Sequence, residues 1–435
     1  MRFFHIADLH LGKFLGDHNL IEDQRDWVEK FLGECGVGKS GEGKEKPDAV
    51  AIAGDVFDVT DPSSEARMLL DHLITELSKN DIPVLMIAGN HDIGGSIDHA
   101  RNFETHHELL ATNNIYISAV TTKVIKHVTI KDTCFWLLPY TDRIRIAEAM
   151  GVDSFVNDTE AVKALLDAQD IDHSVCNVIL SHQNVVVNGT PVETGGSESR
   201  STGDRIGGVS PLESNVFDGF DYVALGHIHS GMPVGDKDSV IKYAGTPLCY
   251  HLDETKYKKN KGYIEVVTDG KKITGKSHKH IEPLLNMEYP VCKNGDDVME
   301  KIREVPDGSY VGIKFTDEVP SEEIIKNARK LLEERDCIWL GITRPKSDRQ
   351  NSGATADVGK LEEESLSETF IKFYMQQNNG NEPSEEELKI LQFIDELKPE
   401  NLPPEYLDYR SGKNPKYTSE YADKIIGELM RIIGG

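Results

Sequence analysis

Six short apolar runs punctuate the first 270 or so residues: "RFFHIA", "DAVAIAG", "IPVLMIAG", "CFWLLPY", "NVILSH" and "DYVALGH". Several are continuous Val, Ile, Ala and Leu, the pattern of strands covered on both faces rather than one. Residues 20 to 32, 63 to 79 and 97 to 112 show helical spacing between the early runs. Strand and helix therefore alternate, and the expected fold class is α/β, a layered sheet structure. From 276 to about 345 the pattern changes: "SYVGIKF" and "CIWLGI" flank a helical stretch at 320 to 334, with another near 296 to 303, as in a small α+β domain. Residues 346 to 365, "PKSDRQNSGATADVGKLEEE", are polar and read as a linker. Beyond it, stripes at Leu366, Phe370, Phe373 and Tyr374, at Ile390, Phe393, Ile394 and Leu397, and at Ile426, Leu429, Met430 and Ile433 predict C-terminal helices over 366 to 435. Such stripes pack on their own domain or, after a linker, on a partner. The expected division is thus 1 to 275, 276 to 345, 346 to 365 and 366 to 435.

Composition narrows the function. With 48 basic against 74 acidic residues the net charge is −26, which argues against binding nucleic acid through a general basic surface. A local phosphate site built from bound cations and a few lysines remains compatible with it. The chain has no run of 18 apolar residues, and its start, "MRFFHIADLH", lacks the basic and long apolar regions of a signal peptide, so a cytoplasmic protein with no membrane partner is expected. Six scattered cysteines form no C-x-x-C pair and read as reduced bystanders. "GECGVGKS", residues 33 to 40, matches a nucleotide phosphate loop in letters only. That loop needs a strand before it and a helix after it, whereas this stretch follows a helical pattern and precedes "GEGKEKPD". A mobile insertion is the expected alternative.

The apolar runs share a feature at their ends. "HIADLH" brings Asp8 and His10, "AIAGDVFD" brings Asp55, "MIAGNHD" brings Asn90 and His91, "VILSH" brings His182, and "ALGHIH" brings His227 and His229. His227 and His229 are two apart, so in an extended chain both face one space. In α/β sheets the carboxyl ends of the strands form the ligand crevice, which would gather all five sets in one place. Carboxylate, imidazole and amide donors suit a hard to borderline metal such as manganese, with iron or zinc as alternatives, and exclude a thiolate site. The ligand-type residues exceed what one ion needs. Two ions sharing one carboxylate would use them and would activate water against a phosphoester.

"DLHLG", "GDVFD", "GNHD", "SHQN" and "GHIH", in that order, resemble the motifs of the calcineurin-like metallophosphoesterases. Within that superfamily, "GKFLGDHNLIEDQRDWVEKFL", "VFDGFDYVALGH" and "YAGTPLCYHLDETKYKKNKGY" are similar to the SbcD family of double-strand-break repair nuclease subunits. The resemblance implies a β-sandwich core flanked by helices, a capping domain, and two divalent metal ions, manganese by preference. It implies one metal held by Asp8, His10, Asp55 and His229 and the other by Asp55, Asn90, His182 and His227, with Asp55 bridging. His91 would be no ligand but a catalytic group beside the substrate phosphate. The implied activity is a DNA exonuclease on duplex ends and endonuclease on hairpins. The implied partners are double-stranded DNA, an SbcC-like coiled-coil ATPase and a second copy of the chain, the latter through the helices at 63 to 79 and 97 to 112 (Met68, Leu69, Leu73 and Leu77; Phe103, Leu109 and Leu110).

The alternatives are a phosphatase or cyclic-nucleotide phosphodiesterase of the same fold, and a scaffold that recruits the ATPase. "GDVFDVT" lacks the Arg that protein phosphatases of this superfamily carry shortly after the second-motif Asp. Other eye-catching residues get plainer readings: His5 in the core, Asp58 capping the next segment, and His106, His107, His278 and His280 solvated. The Gly- and Ser-rich stretch 188 to 208 is expected to be a loop beside the site that touches DNA or partner.

Overall fold

In the first strand, Phe3 packs to one side while Phe4 and Ile6 pack to the other, and all three are buried. The same alternation recurs along the neighbouring strands, which explains why they read as unbroken apolar runs. The computed structural model describes residues 1–94, 97–109, 114–192, 208–344, 407–408 and 416–417, with the side chains of 105–109 left aside. The chain runs through β1 (Arg2–Ile6), α1 (Ile21–Glu34), β2 (Ala49–Ala53), α2 (Ser64–Lys79), β3 (Val84–Ile87), α3 (Ile97–Leu109) and β4 (Ile115–Ser118). It continues through β5 (Lys126–Ile130), β6 (Thr133–Leu138), α4 (Arg143–Met150), α5 (Asp158–Asp167), β7 (Cys176–His182), β8 (Tyr222–Gly226), β9 (Met232–Pro233) and β10 (Ile241–Tyr243). It then returns through β11 (Gly262–Thr268) and β12 (Ile273–His280).

These strands form two six-stranded sheets, in the orders β12-β11-β1-β2-β3-β4 and β9-β10-β8-β7-β6-β5. β1 to β4 are mutually parallel, as are β6, β7, β8 and β10, and the outer strands are antiparallel. The sheets face each other through Phe3, Ala49, Ala51, Ala53, Leu85 and Ile87 on one side and Phe135, Leu137, Val178, Leu180, Tyr222 and Ala224 on the other. Three alanines on β2 keep that interior thin where large side chains would separate the sheets. Outside the first sheet, Val50, Ile52, Val84 and Met86 pack under α1 and α2, where Trp27 stacks on Phe31 at 5.1 Å. Outside the second, Trp136, Ile179, Val223 and Leu225 pack under α4 and α5. The result is a β-sandwich covered by helices on both faces.

All six apolar runs lie in these sheets as expected. The strands of the two sheets that lie outside those runs are β4, β5, β9, β10, β11 and β12. "ITGKSHKH" in β12 is an edge strand, largely wet, whose Lys and His side chains blunt the edge and hide the strand pattern. β12 carries the first sheet as far as His280, five residues past the expected boundary at 275. A smaller sheet follows, in which β15 (Tyr310–Phe315) pairs with β13 (Met287–Glu288), β14 (Val291–Cys292) and β16 (Ile338–Thr343), all in parallel. Helices α6 (Val298–Arg303) and α7 (Glu322–Glu333) close a core of Val298, Ile302, Val311, Ile313, Phe315, Ala328 and Leu332.

The glycine-rich stretch after α1 departs from expectation. α1 runs on to Glu34 and takes in Gly33; Cys35 and Val37 then enter the core, and Lys39–Gly41 forms a tight 3-10 turn. It is a packed loop rather than an open insertion, and with Gly33 inside a helix it cannot cradle phosphate. The cysteines Cys35, Cys134, Cys176, Cys249, Cys292 and Cys337 are all unpaired, five of them buried. Among the described residues no helix is long and apolar enough to cross a membrane. Residues 347–435 form a second compact unit, of which Leu407–Asp408 pairs antiparallel with Lys416–Tyr417. The expected linker and the apolar stripes of the tail lie outside the described residues, as do 193 to 207 of the long loop.

Candidate metal centre

Five of the parallel strands, β1, β2, β3, β7 and β8, deliver candidate residues at their carboxyl ends, and the backbone turns sharply there. Asp8, His10, Asp55 and His227 all adopt positive φ (52°, 43°, 48° and 98°), half of the eight non-glycine residues that do so among those described. Left-handed backbone is costly for residues with a Cβ, and its concentration here marks a site where orientation outranks local comfort. Two neighbouring glycines explain how the strands come so close. A Cβ on Gly226 would lie 2.0 Å from the Ala53 carbonyl oxygen, and one on Gly89 would lie 2.1 Å from Asp55 Oδ1.

The candidate residues converge. Asp8, His10, Asp55, His182, His227 and His229 are all buried, with Asn90 and His91 at the partly exposed side. His10 Nε2 and His229 Nε2 approach to 3.1 Å. His182 Nε2 lies 3.1 Å from Asn90 Oδ1 and 3.3 Å from Asp55 Oδ2, and the His227 ring stands 5.4 Å from the His182 ring. Asp55 Oδ2 is also 3.8 Å from His10 Nε2, so this one carboxylate reaches both clusters. Ligand-type atoms fall within 4.8 Å of one another in two triplets, Asp8, Asp55 and His182, and His10, Asp55 and His91, again sharing Asp55.

Two observations test whether cations fit. Asp8 Oδ1 accepts from the His227 amide at 2.8 Å, but Asp8 Oδ2 is buried without a hydrogen-bond partner, an arrangement that would be costly unless a cation meets it. The imidazoles are also held at the far nitrogen. His182 Nδ1 donates to Ala53 O (2.9 Å), His91 Nδ1 to Asp58 O (2.7 Å) and His229 Nδ1 to Glu254 Oε1 (3.3 Å), while His10 Nδ1 faces Asp58 Oδ1 at 3.3 Å. Such outer partners fix the tautomer and leave Nε2 lone pairs aimed inward, as metal-ligating histidines require. The donor set fits two divalent cations.

Electrostatics agree with that use. Burial pushes the Asp8 carboxyl up to about 7 and His10 down to about 4. Burial also works against charge at Asp55 and His182, yet their proximity wins: His182 rises to about 9, and Asp55 is held well below the usual carboxylate range. Without ions, protons substitute for part of the missing positive charge.

A supporting layer escaped the sequence reading. Asp58 does not cap the next segment; its carboxylate stands 3.3 Å from His10 Nδ1 and 2.7 Å from Lys13 Nζ while its carbonyl holds His91. Asp92 accepts from the amides of Gly89 (2.7 Å), Phe57 (2.9 Å) and Val56 (3.2 Å), tying the second motif to the third. Gln24 in α1 accepts from Gly12 N (2.9 Å) and donates to His10 O (2.7 Å), clamping the first motif. Glu254 behind His229 is fully buried and paired with Lys261, whose ammonium also reaches Thr246 and His229 O. One signal was legible: Gln24 sits among Ile21, Trp27, Val28 and Phe31 on the apolar stripe of α1, where an amide needs a reason. Asp58 and Glu254 had none, being charges among many.

The remaining histidines divide. His5 is a core residue as expected, with Nδ1 3.1 Å from Tyr222 Oη. His278 is not simply solvated: burial pushes it down to about 4, against the opposing pull of its contact with the Ala244 carbonyl at 3.4 Å. His280 Nδ1 donates to Lys261 O at 2.8 Å. The side chains of His106 and His107 lie outside the described residues. In comparison with known families, the model for calcineurin-like phosphoesterases matches residues 1–231.

Proposed function

Because the chain belongs to the calcineurin-like phosphoesterases, we propose that it is a DNA nuclease subunit of the SbcD kind, cleaving phosphodiesters at duplex ends and hairpins. Supporting this over a general phosphatase is one observation: the stretch resembling SbcD beyond the shared motifs, residues 243 to 263, furnishes the supporting layer of the centre. Tyr250 donates to Leu9 O and meets Gln24, and Thr246, Glu254 and Lys261 lock His229. The stretch whose resemblance to SbcD goes beyond the shared motifs is therefore wired into the site.

Two divalent ions, manganese by preference, would be held as Asp8, His10, Asp55 and His229 on one side and Asp55, Asn90, His182 and His227 on the other. When bound, they supply water activation and neutralise charge on the phosphodiester. The chain's own residues do the rest. His91 stands at the partly exposed side with Nδ1 donating to the Asp58 carbonyl; with the ring as imidazolium, Nε2 would carry the second proton and would give it to the departing oxygen. Asp58 keeps His10 and His91 in register, their rings perpendicular at 4.9 Å. The chain works with an SbcC-like ATPase and as a homodimer, in the cytoplasm.

Purified protein with manganese, offered linear duplex, hairpin DNA and a phosphomonoester, tests the reading. Cleavage of both DNAs and indifference to the monoester is the expected result. Rapid monoester or cyclic-nucleotide hydrolysis with intact DNA would assign the site to the phosphatase reading instead.

A further inference from the structure

His229 is braced differently from its neighbours. His182 and His91 rest their Nδ1 atoms on main-chain carbonyls, which the fold supplies in any case. Behind His229 stands a side chain, Glu254 of the 3-10 turn Leu252–Asn260, completely buried and matched by Lys261, itself 3 % exposed. The ammonium donors of Lys261 are all spent: one on Glu254 Oε2, one on Thr246 Oγ1 and one on His229 O at 3.0 Å. Glu254 Oε2 also accepts from the Tyr250 amide at 3.1 Å, which leaves Oε1 for His229 Nδ1 at 3.3 Å. A buried ion pair is a poor way to gain stability, because apolar side chains of similar volume hold a core as well or better. Its presence directly behind a candidate ligand therefore needs another reason.

We infer that Glu254 and Lys261 together are positioning residues for one of the two cations, the one on the His10 side. Glu254 keeps the His229 proton on Nδ1 and so leaves Nε2 unprotonated, beside His10 Nε2 at 3.1 Å. Lys261 balances the carboxylate and also holds the His229 carbonyl, so a single pair fixes both ring and main chain. On the other side His182 Nε2 meets Asn90 and Asp55 instead, at 3.1 Å and 3.3 Å. The consequence is an asymmetry in which the pair serves one ion and not its neighbour. This inference rests on the two-cation reading of the centre and is independent of which phosphoester is cleaved.

The test is manganese titration of the full chain by calorimetry, joined to electron paramagnetic resonance, with Glu254→Leu and Lys261→Met introduced together so that no buried charge is left alone. Wild type should take up two ions and, when saturated, show the exchange-coupled spectrum of a close pair. The double variant should bind its first ion as wild type does and the second about 10–100-fold more weakly, so that the spectrum of isolated manganese replaces the coupled one. Should the apolar pair prevent folding, Glu254→Gln with Lys261→Met carries the same expectation, because an amide has one accepting oxygen to divide between His229 Nδ1 and the Tyr250 amide. His10→Ala, which removes a ligand from the same side, should leave one tight ion, and adding the double change to it should cost that ion nothing. Two ions at wild-type affinity in the double variant would make the pair purely structural and overturn the inference alone; so would equal weakening of both ions, or further loss in the His10→Ala background. Wild type that binds fewer than two ions would instead overturn the two-cation reading, and the inference with it.

Discussion

Asp55 carries more of the centre than any other side chain, because one of its oxygens reaches the His10 side and the His182 side together. Asp55→Asn removes the shared charge and His182→Ala a ligand, so both should abolish manganese-dependent cleavage, with loss of bound metal on elemental analysis. His91→Asn should behave differently: both ions retained, turnover down by about 10²–10⁴-fold, as for loss of a general acid. Loss of an ion in that variant would move His91 among the ligands, where its place in the triplet with His10 and Asp55 makes it a legitimate contender. Protonation makes a second prediction. Ligation requires Asp8 ionised and His182 neutral, whereas in the ion-free protein they titrate near 7 and 9. Each gives up its proton on binding, so manganese affinity should rise between about pH 6 and about pH 9, with protons released. His10, already neutral, adds nothing to this slope. Titration in two buffers of different ionisation heat measures the release; pH-independent affinity would contradict the electrostatics described.

At the scale of elements, the strand ends and the helix faces have separate duties. Gly226→Ala pushes a methyl into the Ala53 carbonyl and the His182 ring, so the two sheets must part where the ligands meet. We expect a loss of about 1–3 kcal/mol in stability together with weakened metal binding, measured by denaturant unfolding and metal titration. In α2 the stripe expected to serve a dimer is mostly spoken for: Leu69, Leu73 and Leu77 are buried in the first sheet's outer core, while Met68 is 69 % exposed. Phe103 of α3 is buried as well, and the side chains of Leu109 and Leu110 lie outside the described residues. Leu73→Ala should therefore cost about 2–5 kcal/mol of folding stability. Met68→Glu should leave stability unchanged and, if the proposed pairing uses this face, convert a dimer to a monomer by light scattering. A dimer that survives Met68→Glu would place its interface elsewhere.

For the whole molecule, the charge of −26 bears directly on the proposed DNA substrate. Under that proposal, repulsion by the general surface would be offset only locally, by cations in the cleft and by contacts from the proposed partner. The acidic stretch "EEELKILQFIDELKPENLPPEYLD" in the second unit is ill suited to phosphates but carries large apolar residues suited to a groove or the base of a coiled coil. Under the proposed function, deleting 361 to 435 should leave manganese-dependent cleavage intact and abolish co-purification with the proposed ATPase partner. A truncated chain that still captures the ATPase, or that loses cleavage on its own, would make the tail part of the catalytic body.

The sequence by itself determined the buried strands and the chemistry at their ends, because a strand covered on both faces must be apolar and a residue placed just beyond it needs no other structural reason to be Asp or His. Order along the chain was enough to single out Asp8, His10, Asp55, Asn90, His91, His182, His227 and His229 as candidates. Only the tertiary structure decided what surrounds them. Asp58, Glu254 and Lys261 are ordinary charges in one dimension; Glu254 lies 25 residues from His229 and acts on it only once the chain has turned back on itself. The edge strands, the packed loop after α1 and the inward face of α2 were settled the same way. Long-range packing chooses which of several permissible faces is buried, and local pattern carries no record of that choice.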